Sequence, residues 1–127
     1  MTLKQDIKRS KLDISEIQDQ KMSALFKFPK ELDLFSGHFP GNPILPGIVQ
    51  IEMIRFALEQ SMGRPLSILS VKKTKFAHLI DPDTPIRISI HITPDNICED
   101  IKGFGVKATL KIEDTLAGKI NLQLLPT

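Results

Sequence analysis

The chain has 127 residues, and a domain usually takes about 100–200, so its length fits one domain. A hydrophobic fraction of 41% is enough for a buried core, and a charged fraction of 25% is ordinary for a water-soluble chain. Lys and Arg number 17 against 15 Asp and Glu, no Trp or Tyr is present, and there is one Cys. That balance gives no overall field or stacking surface for nucleic acid. It also excludes a disulfide framework or an all-cysteine zinc site within one chain.

Residues 1–20 are polar and mildly basic, with Lys4, Lys8, Arg9 and Lys11 against Asp6, and suit a short helix or a loose segment equally. Charges stand where a secretory signal needs an apolar stretch, and no run approaches the roughly 18 apolar residues of a membrane span. With a single cysteine, this predicts a cytoplasmic protein with no membrane insertion, one domain over 1–127. Met22, Ala24, Phe26 and Phe28 then alternate with other residues, as on a half-buried strand that Pro29 stops.

Residues 35–47 read Phe-Ser-Gly-His-Phe-Pro-Gly-Asn-Pro-Ile-Leu-Pro-Gly. Pro40, Pro43 and Pro46 fix three φ angles and keep the preceding residues extended. Gly37, Gly41 and Gly47 permit turns. The expected product is a stiff loop that aims His38. Glycine interrupts the prolines and an apolar helix follows, which speaks against a polyproline ligand.

That helix is predicted from about Pro46 to Met62, with Pro46 in its first turn and Gly63 and Pro65 at its end. Ile48, Val49, Ile51, Met53, Ile54, Phe56, Ala57, Leu58 and Met62 cover most of its circumference, as in a buried helix. Strand signals fill the rest: about Ile68 to Ala77, then Ile86, Ile88, Ile90 and Ile92 alternating with Arg87, Ser89, His91 and Thr93. Phe104 to Ile112 and Leu116 to Leu124 form two further alternating sets. Turns are predicted at Asp81-Pro82-Asp83, Pro94-Asp95-Asn96 and Glu113-Asp114. About five one-sided strands and one apolar helix give an α+β architecture, an antiparallel sheet curled round the helix. Its open edges predict a homodimer or a dimer-based oligomer.

His38 and Glu52 are fourteen residues apart, on the loop and on the helix. Imidazole suits proton abstraction near neutrality. A carboxyl group in an apolar site can be held protonated, as a donor. Between them, the helix start at Pro46-Gly47 offers free N–H groups and a positive dipole end to a developing oxyanion. Base, acid and oxyanion support together suit proton abstraction beside a carbonyl and loss of a leaving group. The plainer readings are a loop histidine with satisfied hydrogen bonds, and a solvated stripe in which Glu52, Arg55 and Glu59 pair at spacings of three and four.

The run His38-Phe39-Pro40-Gly41-Asn42-Pro43-Ile44-Leu45-Pro46-Gly47, followed by Glu52, resembles the signature of the 3-hydroxyacyl-(acyl carrier protein) dehydratases of the FabA/FabZ type. The resemblance implies the hotdog fold, a sheet wrapped round one long helix. It implies that His38 removes the C2 proton of a 3-hydroxyacyl thioester and that Glu52 of the partner subunit assists departure of the hydroxyl as water. Gly47 N–H would polarise the thioester carbonyl, with Phe39 and Pro46 beside it as substrate-binding residues. The implied product is a trans-2-enoyl thioester, made without metal or cofactor. Acyl carrier protein would deliver the substrate on its phosphopantetheine arm, in fatty-acid or in specialised, aryl-polyene-type biosynthesis.

The sequence departs from the family pattern at Phe56, where a glutamine is usual, and at Arg55, placed to pair with Glu52. It also has no early Arg-x-Pro-Phe run. A hotdog thioesterase and a non-catalytic module that binds acyl groups or carrier protein are the alternatives. His78 and His91 read as structural, Cys98 as inert, and Lys72, Lys73 and Lys75 as a solvated strand face, with a docking patch for acidic carrier protein as the sharper option.

Overall fold

The computed structural model describes residues 2–35, 43–98 and 101–127; for 95–98, 101 and 102 it describes the backbone. The chain opens with helix α1, Leu3–Ser10. Thr2 caps it reciprocally with Gln5: Gln5 N–H donates to Thr2 Oγ1 at 3.2 Å, and Thr2 N–H to Gln5 Oε1 at 3.0 Å. Two of the helix's orphan donors are thereby satisfied. A short strand β1, Lys11–Ile14, follows directly, so the polar first segment holds a helix and a sixth strand.

Strand β2, Lys21–Lys27, leads through a 3-10 turn at Asp33–Phe35 towards helix α2, Gly47–Met62. Gly63 ends α2 at φ 70°, its N–H donating to Glu59 O at 2.8 Å. The left-handed conformation asked for there is nearly free for glycine. Strands β3 (Leu66–Phe76), β4 (Pro85–Cys98), β5 (Ile101–Ile112) and β6 (Thr115–Pro126) complete the chain. The sheet order is β1-β2-β4-β5-β6-β3, with every pairing antiparallel. Strand β3 thus crosses the sheet from α2 to the far edge.

Alternation sets which face is buried. Ile86, Ile88 and Ile90 are at most 2% exposed, whereas Arg87, Ser89 and His91 between them face solvent. Met53, Ile54, Ala57 and Leu58 of α2 are fully buried in one cluster with these isoleucines and with Val106, Leu110, Ile120 and Leu124. Burying each large aliphatic side chain contributes about 1.5–3 kcal/mol. The ring of Phe26 stacks on Phe28 at 6.0 Å between centroids and meets Phe56 edge-on at 6.3 Å, which ties β2 to α2.

The turn expected at Pro94-Asp95-Asn96 is absent. Strand β4 continues through it and stays paired with β5 as far as Cys98 opposite Ile101. The physical reason is register: β2 pairs with β4 only up to Lys21 opposite His91. Past that point β4 has one neighbour, and the N–H that proline lacks is missed only on an open edge.

Candidate functional site

Helix α2 starts on a pinned segment. Leu45 N–H donates to Ile80 O at 2.8 Å, and Gln50 Nε2 donates to Leu45 O at 3.2 Å. Pro46 is the N-cap, at φ −64° and ψ 150°, and supplies no side-chain cap. Its carbonyl accepts from Val49 and Gln50 N–H at 3.1 and 3.2 Å. Among the described residues, the N–H groups of Gly47 and Ile48 have no acceptor. They stand at the positive end of a sixteen-residue helix, where negative charge is favoured.

Phe76, at the end of β3, lies directly against this point. A Cβ on Gly47 would sit 2.8 Å from Phe76 Cζ and 3.0 Å from Cε2, so a side chain at 47 would displace the ring. Around them is a pocket of about 460 Å³ lined by Ile44, Pro46, Gly47, Gln50, Phe76 and His78, among others. Gln50 is 4% exposed and its buried Oε1 has no hydrogen-bond partner among the described residues. His78 Nδ1 lies 2.6 Å from Leu79 O. A carbonyl only accepts, so Nδ1 carries the hydrogen.

Glu52 is elsewhere on the helix. Five residues beyond Gly47, it is turned about 140° round the axis. It lines a separate pocket of about 320 Å³ with Leu3, Ile7, Arg55, Phe56 and Glu59, between α2 and α1. Its carboxylate Oε2 is 2.5 Å from Arg55 Nη2, the two side chains being 23% and 35% exposed. Glu59 Oε2 accepts from Leu66 N–H at 2.8 Å, which fastens the end of α2 to the start of β3. The stripe is therefore only partly solvated.

Within the single chain, then, Pro46 and Gly47 share a pocket and Glu52 belongs to another. His38 and Phe39 lie outside the described residues. Sequence reasoning passed over Gln50, although one amide in an otherwise apolar run was the available signal. Phe76 and His78 gave none of their own, because strand β3 brings them to α2 from more than twenty residues away. Among the described residues, no cluster of three or more His, Cys, Asp or Glu is arranged to hold a metal ion, and no helix is long and apolar enough to cross a membrane.

This arrangement, a six-stranded antiparallel sheet on one long helix whose free amino end opens on a pocket, defines a hotdog-fold protein. The model of the ApeI-like family, described as ApeI dehydratase, matches residues 14–107, and the chain belongs to that family. The chain is 30% identical over 105 residues to the 3-hydroxyacyl-(acyl carrier protein) dehydratase FabZ of Enterococcus faecalis, covering 77% of this chain and 70% of that one. It is 29% identical over 87 residues to FabZ of Lactococcus lactis, covering 63% and 58%. Against FabZ of Alkaliphilus metalliredigens it is 35% identical over 66 residues, with less than half of either chain covered.

Among solved structures, the dehydratase heterocomplex ApeI:P of Xenorhabdus doucetiae superposes with a TM-score of 0.68 at 20% identity, over 91% of this chain and 96% of that one. An uncharacterised protein of Erwinia carotovora gives 0.67 at 21% identity, over 92% and 95%. At such identities the likeness speaks for the fold.

Proposed function

We propose that the chain dehydrates a 3-hydroxyacyl thioester, presented by acyl carrier protein, to the trans-2-enoyl thioester. The observation that carries this reading is the start of α2, where Gly47 N–H has no acceptor among the described residues and opens on a largely apolar pocket. A thioester carbonyl there would gain charge stabilisation as C2 loses its proton. His38 is the base. Glu52 of a second protomer assists the 3-hydroxyl to leave as water, in keeping with the separation of Glu52 from Gly47 within one chain. Phe39 and Pro46 flank the acyl group.

The dimer this requires is supported by where exposed apolar side chains gather. Leu69, Val71 and Phe76 lie on the open edge strand β3, Leu79 lies just beyond it, and Ile48 is in the first turn of α2; all are 43–62% exposed. An edge strand with apolar flanks is suited to pairing with a second copy.

The test is ultraviolet absorbance of crotonyl thioester hydration, with wild type beside His38→Ala. Removing a general base costs about 10²–10⁴-fold, and an unchanged rate in that variant would overturn the proposal. The non-catalytic binding module is the second reading, favoured by the Glu52–Arg55 ion pair. Tight thioester binding without turnover would support it, and release of free thiol would point to a thioesterase.

A further inference from the structure

The pocket at Gly47 presents both donors and an acceptor that nothing among the described residues satisfies. Gly47 and Ile48 N–H have no acceptor there. About one turn further along α2, Gln50 Oε1 has no donor. It and Asp6 Oδ1 are the buried side-chain atoms without a hydrogen-bond partner among the described residues, and Gln50 lines this pocket. The amide is held by its own nitrogen: Nε2 donates to Leu45 O at 3.2 Å, and Leu45 N–H is tied in turn to Ile80 O at 2.8 Å. A carbonyl only accepts, so the nitrogen faces Leu45 and the oxygen is turned away from it. Oε1 lies 3.8 Å from where a Cβ on Gly118 would be, and Gly118 pairs with Phe76 at the pocket wall. A buried amide oxygen is costly to leave bare, and such an atom is kept where water or a ligand supplies the donor.

We infer that Gln50 Oε1 accepts the hydrogen of the 3-hydroxyl group and thereby selects 3-hydroxyacyl chains; this role rests on the function proposed above. Gly47 and Gln50 are three residues apart, about 4.5 Å along the helix axis. In a 3-hydroxyacyl thioester, C1, C2 and C3 separate the carbonyl oxygen from the hydroxyl oxygen, a comparable span. With the carbonyl on Gly47 N–H, the hydroxyl is the donor that reaches Oε1. A carrier arm also has an amide N–H, but the arm must run outward to solvent. The outer rim is formed by Phe76, Leu79 and His78, all exposed, whereas Gln50 is 4% exposed. The acyl end therefore takes the inner position, beside Gln50.

Such a contact suits the leaving step. The hydroxyl group gives its hydrogen to Oε1 and keeps its lone pairs for a proton from Glu52 of a second protomer. As the C3–O bond breaks, its electron pair goes to that oxygen and the pair left at C2 becomes the C2=C3 bond. Water departs with its first hydrogen still on Oε1. An oxygen that is gaining a proton is a stronger donor, so the contact tightens in the transition state. The enoyl product has no such donor and is held less tightly than the substrate.

The test uses 2,2-dimethyl-3-hydroxybutanoyl-N-acetylcysteamine, which has no C2 hydrogen and binds without dehydrating. Its 3-O-methyl ether keeps the oxygen and removes the donor. Both ligands carry the same amide, so contacts to the arm cancel in the ratio of their dissociation constants. Calorimetric titration of wild type is expected to show the hydroxy ligand bound about tenfold more tightly, or better. Gln50→Met, similar in volume and apolar, is expected to bring the two constants within about twofold of each other. A wild-type ratio near one means that water alone serves Oε1, and overturns the inference. So does a preference that survives in Gln50→Met, or an equal weakening of both ligands there, which marks a purely structural amide. Should Gln50→Met not fold, nitrogen-15 spectra of wild type read the same contact. The Gln50 side-chain amide is expected to shift with the hydroxy ligand and not with the ether, and equal shifts overturn the role. Failure of the proposed function reads separately. A wild type that leaves 3-hydroxybutanoyl thioester intact yet prefers the hydroxy ligand ends the reaction and keeps the role of Gln50. Turnover without the preference ends that role alone.

Discussion

The ring of Phe76 occupies the space a side chain at Gly47 would need, with Cζ only 2.8 Å from where a Cβ would be. Phe76 is 51% exposed, so the ring has room to swing outward. Gly47→Ala is therefore expected to fold with little loss of Tm, yet to move the ring and the pocket wall at the proposed oxyanion position. Misplacement at a reacting centre by about 1 Å costs about 10²-fold. Steady-state kinetics should show the loss mainly in kcat, and Phe76→Ala added to Gly47→Ala should recover part of it. No recovery in the double variant would show that the glycine serves the backbone rather than the ring.

Glu52 and Arg55 are bonded to each other beside α1, and separate substitutions distinguish a structural pair from a working carboxyl group. As a partly exposed pair one turn apart, they contribute about 1 kcal/mol or less to stability. Arg55→Ala should shift the urea midpoint slightly and leave dehydration measurable. Glu52→Gln should lose about 10²-fold or more in kcat, as expected for a group that handles a proton. Similar rates in both variants would confine the pair to a structural role.

Removing the carboxylate that fastens α2 to β3 is a stability experiment. Glu59 Oε2 accepts from Leu66 N–H at 2.8 Å, in a partly buried setting. A hydrogen bond to a charged group contributes about 1.5–3 kcal/mol. Glu59→Ala is expected to lower unfolding free energy towards the bottom of that range in denaturant melts, with KM for thioester unchanged.

Dimer formation through β3 has a direct check. Leu69→Lys/Val71→Lys places two charges on the open edge, where both native side chains are nearly half exposed. Such charges oppose edge-to-edge pairing. Light scattering after gel filtration should report a monomer, and activity should disappear with it, since Glu52 and Gly47 would come from different protomers. A dimeric, active variant would place the interface elsewhere.

The sequence by itself carried the period-2 strands and the apolar α2 with its glycine stop; the proline-stiffened run expected before Gly47 lies largely outside the described residues. Strands and helix are set by local sterics and by side-chain alternation along a single element. It missed the extension of β4 through Pro94, because that residue's tolerance depends on β2 having already ended. It also missed α1's capping box, Thr2 with Gln5, within a segment whose composition alone left helix and coil open. The pocket at Gly47 was decided only in three dimensions. Phe76 and His78 reach it because β3 crosses to pair with β6, a connection that no local pattern encodes. The separation of Glu52 from Gly47 follows from helical rotation and the packing of α1 over one face of α2. Likewise, Lys75, Arg87, Lys111 and Lys119 look like ordinary solvated positions along each strand. Only the cross-strand register sets them opposite one another, because repulsion depends on distance in space and not along the chain.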